Sequence, residues 1–328
     1  MLVLGRHDVE ALLDIDALID ALAAAMADLS AGAASLPERA AAFVDADTAT
    51  GVLDMACYVP SLGVLMTKLV TVFPANAGSE LPVRQAVIVA FDPTNGGPVA
   101  LVDGTHITAA RTAACSALSV RVLARADATS LAVLGTGVQA RAHALAVARV
   151  RPFAEIRVAG RDQAKVAALA ADLSSLLDFE VRAAGSYQEA LAGADVACAA
   201  TYAIDPVVRR EWIDPGVHLT SVGYNQRGRE LDDATVADSV LFVESRHAAL
   251  GAVPPNRDLA DPLERGVITA EHVHAELGEV ISGTKTGRTR DDQITLYKSV
   301  GVAVQDAAAV ALVLQGAGAR GMGREVDL

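Results

Sequence analysis

The segment 130–147, SLAVLGTGVQARAHALAV, constrains the fold of this chain more than any other. It predicts a buried apolar strand, a turn that contains Gly135 and Gly137, and the start of a helix. In a dinucleotide-binding turn the first glycine allows the tight bend and the second lets a pyrophosphate approach the backbone. A small residue such as Ala140 then lets the helix pack closely on the sheet. The segment therefore predicts a dinucleotide site; the alternative is an ordinary strand–helix turn that uses glycine for its geometry alone.

The helix after this turn begins near Val138 and Gln139. The first N–H groups of a helix have no acceptor within it, so these two residues are predicted to help bind the cofactor phosphates. The next strand ends at Gly160-Arg161, with no acid at the strand end itself. An arginine there favours the 2′-phosphate of NADP, so the expected cofactor is NAD(P)H with NADPH favoured. Two alternatives remain open: Asp162 contacts the ribose of NAD, or Arg161 is merely solvated.

Alternation of strands and helices after residue 130 predicts an α/β fold with a doubly wound parallel sheet of the Rossmann type. The segment 41–103 differs, with β-rich runs broken by Pro and Gly and a hairpin turn at 92–98. We expect a Rossmann dinucleotide-binding domain at 119–301 and a discontinuous α+β domain formed by 1–118 and 302–328. The sequence also predicts three helices, at 8–31, at 107–124 with Thr108 as its N-cap, and at 292–315.

Composition excludes several classes of partner. The formal net charge is −13, whereas a nucleic-acid-binding protein needs a basic face. No apolar run is long enough to cross a membrane, and the first residues lack the basic region and cleavage site of a secretory signal peptide. The three cysteines lie far apart without metal-ligand spacing, which is typical of buried thiols in a reducing compartment. We expect a cytoplasmic protein without a bound metal.

Three cations in the first part of the chain stand out because of their neighbours. Arg39 follows a proline in SLPERAAAF, Lys68 interrupts the apolar run GVLMTKLVTVFPAN, and Arg111 lies in TAARTAACSA. A lysine in an apolar strand is often an edge residue whose amine reaches water, and an arginine on a helix is often a surface charge. Composition alone does not assign a function to any of the three.

The chain resembles the ornithine cyclodeaminase/mu-crystallin family over nearly its whole length. The resemblance is carried by ordered motifs: MTKLVTVFPAN (66–76), AVIVAFDPTNGGPVALVDGTHITAARTAACSALS (86–119), LGTGVQARAHALA (134–146), ADVACAAT (194–201), VGYNQRGRELDD (222–233), ELGEVISGTKTGRTRDDQITLYKSVG (276–301) and AVQDAAA (303–309). It implies a Rossmann cofactor domain, a substrate domain that also forms a homodimer, and substrates that are small amino, imino or keto acids.

The resemblance also implies site residues. Arg39, Lys68 and Arg111 would surround the substrate carboxylate, which a guanidinium binds through two hydrogen bonds. Lys68, desolvated by apolar neighbours, would have a lowered pKa and would exchange a proton with the substrate. Family positions near the cofactor match Thr201, Gly223, Ser299 and Gly301, for which helix capping and close packing are the alternative roles.

One position departs from the cyclodeaminase pattern. Cyclodeaminases carry an aspartate two residues after the glycine that matches Gly223, and this chain has Asn225 there. An amide does not exchange a proton at neutral pH, although it does hydrogen-bond an imine or amine. The departure favours an oxidoreductase that transfers a hydride between NAD(P)H and the C=N carbon of a small 2-imino acid. A lyase that recycles NAD and a non-catalytic ligand-binding homologue are the alternatives.

Overall fold

The structure is a computed structural model that describes residues 1–76, 78–251 and 254–327. Its strands are β1 (Leu2–Leu4), β2 (Ala40–Asp45), β3 (Thr50–Val59), β4 (Val64–Val72), β5 (Arg84–Phe91), β6 (Pro98–Asp103), β7 (Ser130–Leu134), β8 (Glu155–Ala159), β9 (Val181–Ala183), β10 (Val196–Ala199), β11 (His218–Ser221), β12 (Val240–Val243), β13 (Val273–Glu276), β14 (Thr295–Lys298) and β15 (Arg324–Glu325). Its helices are α1 (Arg6–Leu12), α2 (Ile15–Ser30), α3 (Gly104–Leu123), α4 (Val138–Val147), α5 (Gln163–Leu177), α6 (Tyr187–Leu191), α7 (Asp233–Asp238), α8 (Arg246–Leu250), α9 (Arg257–Glu264), α10 (Leu277–Ile281) and α11 (Ala303–Arg320).

The chain divides into two compact units. The first consists of Met1–Arg111 and Gly301–Leu328, and the second of Thr112–Val300. The first boundary falls inside helix α3, a few residues before the boundary expected at 118. The second falls at the end of the segment that follows β14, next to the boundary expected at 301.

A mixed sheet organises the first unit. Its strand order is β15-β1-β6-β5-β4-β3-β2, and every neighbouring pair is antiparallel except β1 and β6. Helix α11 packs on α2 and on strands β3 and β4. Because side chains alternate along a strand, Met66, Lys68 and Val70 of β4 lie on the buried face. Leu69 lies on the opposite face and is 39% exposed.

A parallel sheet organises the second unit, with the order β13-β12-β14-β11-β10-β7-β8-β9. All of its neighbouring pairs are parallel. The apolar strands are buried almost throughout, as expected where helices cover a parallel sheet. The order of strands reverses at β7, which lies between β8 and β10, and this confirms the predicted Rossmann-type α/β fold.

Three local predictions differ from the structure. The helix predicted at 8–31 is two helices, because Asp14 caps α2 by accepting a hydrogen bond from Ala17 N at 2.8 Å. Helix α3 begins before Thr108, whose hydroxyl donates to Gly104 O within the helix. The apolar run predicted as a helix from 292 contains the buried strand β14 before α11 begins at Ala303. The hairpin turn predicted at 92–98 is present between β5 and β6.

The cysteines are free and buried. Cys57 lies on β3, Cys115 on α3 and Cys198 on β10. Burial raises the pKa of both Cys57 and Cys198 to about 12. Within residues 1–76, 78–251 and 254–327, no cluster of three or more metal-ligating side chains occurs, and no helix has the length and apolar character that crossing a bilayer requires.

Candidate active site

The glycine turn connects β7 to α4 at the point where the strand order reverses. Gly135 has a φ of +119°, and a Cβ there would lie 2.5 Å from Ala200 O, so only glycine fits. Gly137 is different, because a Cβ there would meet no atom within 4 Å. Gly137 is the N-cap of α4, so the first N–H groups of Val138 and Gln139 border this open space. The residues present therefore fit the pyrophosphate of a dinucleotide.

Thr201 lies beside this turn. A Cβ on Gly135 would lie 3.4 Å from Thr201 Cγ2, which puts the second residue after β10 next to the first residue after β7. In doubly wound sheets, ligands bind in the crevice at this reversal of strand order. The structure thus brings Gly135, Gly137 and Thr201 together at the carboxyl ends of two neighbouring strands, β7 and β10.

The two residues considered for contact with the adenosine ribose follow the end of β8. Asp162 is the N-cap of α5, and its Oδ1 accepts hydrogen bonds from Ala164 N and Lys165 N at 3.0 and 3.2 Å. Arg161 is exposed. A Cβ on Gly160 would lie 2.8 Å from Thr136 Cγ2, so the small residue permits close approach to the glycine turn. Helix capping therefore uses Oδ1 of Asp162, whereas the Arg161 side chain is exposed.

A buried carboxylate that sequence reasoning missed holds two of the predicted cofactor residues. Glu230 Oε1 accepts from Thr201 N at 2.6 Å and from Thr201 Oγ1 at 2.8 Å. Its Oε2 accepts from Ser221 Oγ at 2.7 Å and from Gly223 N at 2.8 Å. Burial raises the pKa of Glu230. Glu230 thereby connects Thr201, the second residue after β10, to the last residue of β11 and to the loop that follows it.

A second buried pair extends this network. Lys298 Nζ lies 2.7 Å from Asp258 Oδ2 and donates to Gly223 O at 3.1 Å. The next residue, Ser299, donates through Oγ to Glu244 Oε1 at 2.5 Å. The predicted residues Gly223 and Ser299 are therefore each held by a buried acidic or basic side chain. In the sequence, Lys298 and Glu244 are indicated only as charged residues at or beside apolar strands.

The predicted cations Lys68 and Arg111 meet at one carboxylate, Asp306 of α11. Lys68 Nζ lies 2.7 Å from Asp306 Oδ2, and Arg111 Nε lies 3.2 Å from Asp306 Oδ1. Gln305 Oε1 accepts a further hydrogen bond from Arg111 Nη1. Lys68 is 1% exposed and Arg111 is 5% exposed, so neither the solvent-reaching edge lysine nor the surface arginine considered above is found. Burial lowers the pKa of Lys68 to about 8.

Arg39 joins this cluster through the backbone. Its guanidinium donates to Gly301 O. Gly301 has a φ of +74°, and a Cβ there would lie 2.9 Å from Arg111 Nη1. The structure thus places Gly301 with the cations of the first unit, whereas Ser299 lies in the second unit.

Comparison with known proteins identifies the family to which this chain belongs. A model of the ornithine cyclodeaminase/mu-crystallin family matches residues 1–320. The chain belongs to this family. It is 38% identical to the ketimine reductase mu-crystallin of Mus musculus over 79% of this chain and 78% of that protein. It is 32% identical to the Δ1-pyrroline-2-carboxylate reductase of Bacillus cereus over the full length of both chains.

The chain is also similar to a solved structure over nearly its full length. The Δ1-pyrroline-2-carboxylate reductase of Thermococcus litoralis, in complex with NADH and L-proline, is 36% identical with a TM-score of 0.95. The match covers 99% of this chain and 100% of that one. The family model confirms the ornithine cyclodeaminase/mu-crystallin family assigned from the sequence motifs.

The amide of Asn225, the residue predicted to hydrogen-bond the substrate nitrogen, makes local hydrogen bonds. Its Nδ2 donates to Ala203 O at 3.0 Å, and its Oδ1 accepts from Arg227 N at 2.9 Å. The side chain is 6% exposed. The donor bond to Ala203 requires an amide, because a carboxylate would place two acceptors against each other. Asn225 therefore shapes the loop after β11, and one Nδ2 hydrogen remains for another acceptor.

Proposed function

We propose that this chain reduces the C=N bond of a cyclic 2-imino acid, with Δ1-pyrroline-2-carboxylate as the first candidate, to the L-amino acid. The observation that carries the proposal is the pair of buried cations, Lys68 and Arg111, in a chain whose second unit contains a dinucleotide turn. NAD(P)H, when bound, supplies the hydride. The π bond between carbon and nitrogen breaks, the carbon gains the hydride, and the nitrogen gains a proton.

The charges of the first unit fit an anionic substrate. Lys68 and Arg111 contribute two buried positive charges, of which Asp306 offsets one, and the Arg39 guanidinium donates to Gly301 O next to Arg111. Buried charges are stable only when they are paired. A substrate carboxylate supplies a further negative charge, and a guanidinium with an ammonium orients it more firmly than either group alone. Lys68 is also suited to hold the proton that the imine nitrogen requires.

Asn225 favours reduction over cyclodeamination. Deamination and ring closure need a group that takes up and releases a proton on the amine, and an amide does not do so at neutral pH. A single hydride transfer to an imine needs less acid–base catalysis than deamination with ring closure. We assign the remaining Nδ2 hydrogen of Asn225 to the substrate nitrogen or to a water beside it.

The preferred cofactor in this proposal is NADPH, because Arg161 is exposed at the end of β8 and Asp162 caps α5. The test is the ratio of kcat/KM for NADPH to that for NADH. Arg161→Ala is expected to lower this ratio about tenfold or more. Asp162→Asn, which preserves the cap, is the control and leaves the ratio unchanged. A lower use of NADH in Asp162→Asn would assign the ribose contact to Asp162 instead.

The reaction itself is tested by incubating the protein with NADPH or NADH and Δ1-pyrroline-2-carboxylate. Loss of absorbance at 340 nm with formation of L-proline, identified by chiral chromatography, is the expected result. Lys68→Met should lower kcat/KM about a hundredfold or more, and the exposed Lys285→Met should leave it unchanged. Ammonia from L-ornithine with no net NADH would instead identify the lyase. Dinucleotide binding without turnover of any imino or amino acid would identify a binding protein.

A homodimer is part of the proposal, and exposed apolar side chains on one face of the first unit's sheet support it. Leu69 and Val87 pair in register on this face and are 39% and 44% exposed. Val99 of β6 lies on the same face, further along the sheet, and is 40% exposed. Exposed apolar side chains on one face of a sheet are typical of a protein interface. A second copy of this chain is the partner we propose, because a twofold interface is self-complementary.

A further inference from the structure

We propose that Asp306 is a positioning residue of the substrate site. It holds Lys68 protonated and holds one edge of the Arg111 guanidinium, so that both cations present their remaining N–H groups to a carboxylate. This inference rests on the function proposed above and adds to it a residue that does not itself touch the substrate. Asp306 lies in α11, far along the chain from both of its partners.

The contacts of Asp306 divide its two oxygens between the two cations. Oδ2 lies 2.7 Å from Lys68 Nζ, and Oδ1 lies 3.2 Å from Arg111 Nε. Asp306 is 0% exposed. One buried carboxylate therefore sets the distance and orientation between an ammonium and a guanidinium that come from β4 and α3.

The remaining donors of the two cations are defined by these bonds. Gln305 accepts from Arg111 Nη1. Among residues 1–76, 78–251 and 254–327, Arg111 Nη2 has no hydrogen-bond partner. Lys68 Nζ donates to Asp306 and, at 3.5 Å, to Thr108 Oγ1, which leaves its third hydrogen. A carboxylate that accepts from Arg111 Nη2 and Lys68 Nζ satisfies both donors.

The charge state of Lys68 depends on its surroundings. The titratable and charged groups that face it are Asp306 on α11, Arg111 on α3, Arg39 ahead of β2 and the Cys57 thiol on β3. Burial and the two guanidinium groups favour the neutral amine, and Cys57 remains a neutral thiol because burial raises its pKa to about 12. Asp306 is the one group of this set that favours the ammonium. Its carboxylate therefore decides whether Lys68 attracts the substrate at neutral pH.

The first test is the pH profile of kcat/KM for the reduction of Δ1-pyrroline-2-carboxylate. In the wild type, kcat/KM should fall as the pH rises through about 8, where Lys68 loses its proton. Asp306→Asn should move this alkaline limb to lower pH by about one unit or more, because an opposite charge within hydrogen-bond distance shifts a pKa by that amount. Asp306→Glu keeps the charge, so the limb should stay in place while kcat/KM falls. Equal limbs in the wild type and Asp306→Asn overturn the proposal.

Two further measurements keep the test decisive. If Asp306→Asn does not fold, Gln305→Glu replaces it. A carboxylate beside Arg111 must move the alkaline limb of kcat/KM to higher pH, and an unmoved limb counts against the proposal.

The ¹³Cε resonance of Lys68 is titrated separately, which is practical because the chain has only four lysines. The Lys68→Arg variant assigns the signal. A shifted titration in Asp306→Asn without any imine reduction in the wild type would support Asp306 and refute the proposed reaction. An unshifted titration would refute Asp306 alone.

Discussion

A Cβ on Gly223 would lie 2.3 Å from the carboxyl carbon of Glu230, so the two residues fit together only because position 223 has no side chain. The Glu230 carboxylate accepts from Gly223 N and from Thr201 N, and displacing it would break both bonds. The Gly223→Ala variant tests this relationship. We expect its free energy of unfolding to fall by about 1–3 kcal/mol, since buried donors lose their acceptor.

We also expect the Kd for NADPH to rise about tenfold in Gly223→Ala, because Thr201 beside the glycine turn moves with Glu230. Denaturant titration and cofactor fluorescence measure the two effects. Gly318→Ala is the matched control: a Cβ there meets nothing within 4 Å, so stability should be unchanged or about 0.5–1 kcal/mol higher in this helix. A Gly223→Ala protein as stable as the control would show that Glu230 has room to move.

Gly137 allows cofactor binding to be separated from folding. Its Cβ position is open, so Gly137→Ala should fold with an unchanged melting temperature. The added methyl group would occupy the space through which a pyrophosphate approaches the helix, so the Kd for NADPH should rise about tenfold or more. Gly135→Ala should instead destabilise the protein, because its φ is +119° and Ala200 O lies in the way. Unchanged cofactor affinity in Gly137→Ala would place the pyrophosphate elsewhere.

Asn225→Asp tests the choice between reduction and cyclodeamination. The carboxylate loses the donor bond to Ala203 O, and the buried mismatch should cost about 1–3 kcal/mol of stability. The new carboxylate also supplies a group that can exchange a proton, so ammonia release from L-ornithine with NAD⁺ should rise above the wild-type level. An ammonia assay with proline quantification measures this. Wild-type protein that already makes proline from ornithine would contradict the role given to Asn225.

The dimer proposal predicts a monomer when the apolar sheet face is charged. Val87→Lys places an ammonium next to Leu69 on this face, and like charges would face each other across a twofold interface. Light scattering after size exclusion should give the mass of one chain. Val267→Lys, at a valine of the second unit that is 41% exposed, should keep the wild-type mass. A wild-type monomer would refute the proposal directly.

Stability should fall in acid because His143 is buried as a neutral ring. Its Nε2 lies 2.9 Å from Ser116 Oγ, and burial lowers its pKa from 6.5 to about 4. Between these values the unfolded chain binds a proton that the folded protein does not, so the free energy of unfolding falls as the pH drops from 6.5 towards 4. Each unit of difference corresponds to about 1.4 kcal/mol. Urea midpoints over this range measure the slope, which His143→Gln should reduce; an equal slope in both proteins would contradict the assignment.

The sequence predicts local features of this fold better than distant pairings. The glycine turn is encoded within a few residues, so the strand, Gly135, Gly137 and the start of α4 follow from the sequence alone. The strand β14 was predicted as part of a helix because TLYK lies in a continuous apolar run, and a buried central strand shows no alternation. Only the structure identifies β14 as a strand, because it is hydrogen-bonded between β11 and β12.

Prediction of the site residues is limited in the same way, because contacts between distant parts of the chain do not appear in the sequence. Lys68 and Arg111 were found through family motifs, whereas Asp306 was not singled out, because its partners are far away in the sequence. An aspartate in the apolar helix VAVQDAAAV was the available signal, since a buried charge needs a partner. Glu230 was missed for the same reason: its acceptor bonds to Thr201 and Gly223 appear only when β10 and β11 lie side by side.

The buried thiols of Cys57, Cys115 and Cys198 have a practical consequence for spectroscopy. Burial shields all three thiols from reagents. Cys57 and Cys198, each with a pKa of about 12, also contain almost no thiolate at neutral pH, and the thiolate is the form that reacts with maleimides. A single cysteine introduced on the surface would therefore take a spin label or fluorophore selectively, without removal of the native cysteines. Pairs of such labels would report distances within the working enzyme while its natural interior stays intact.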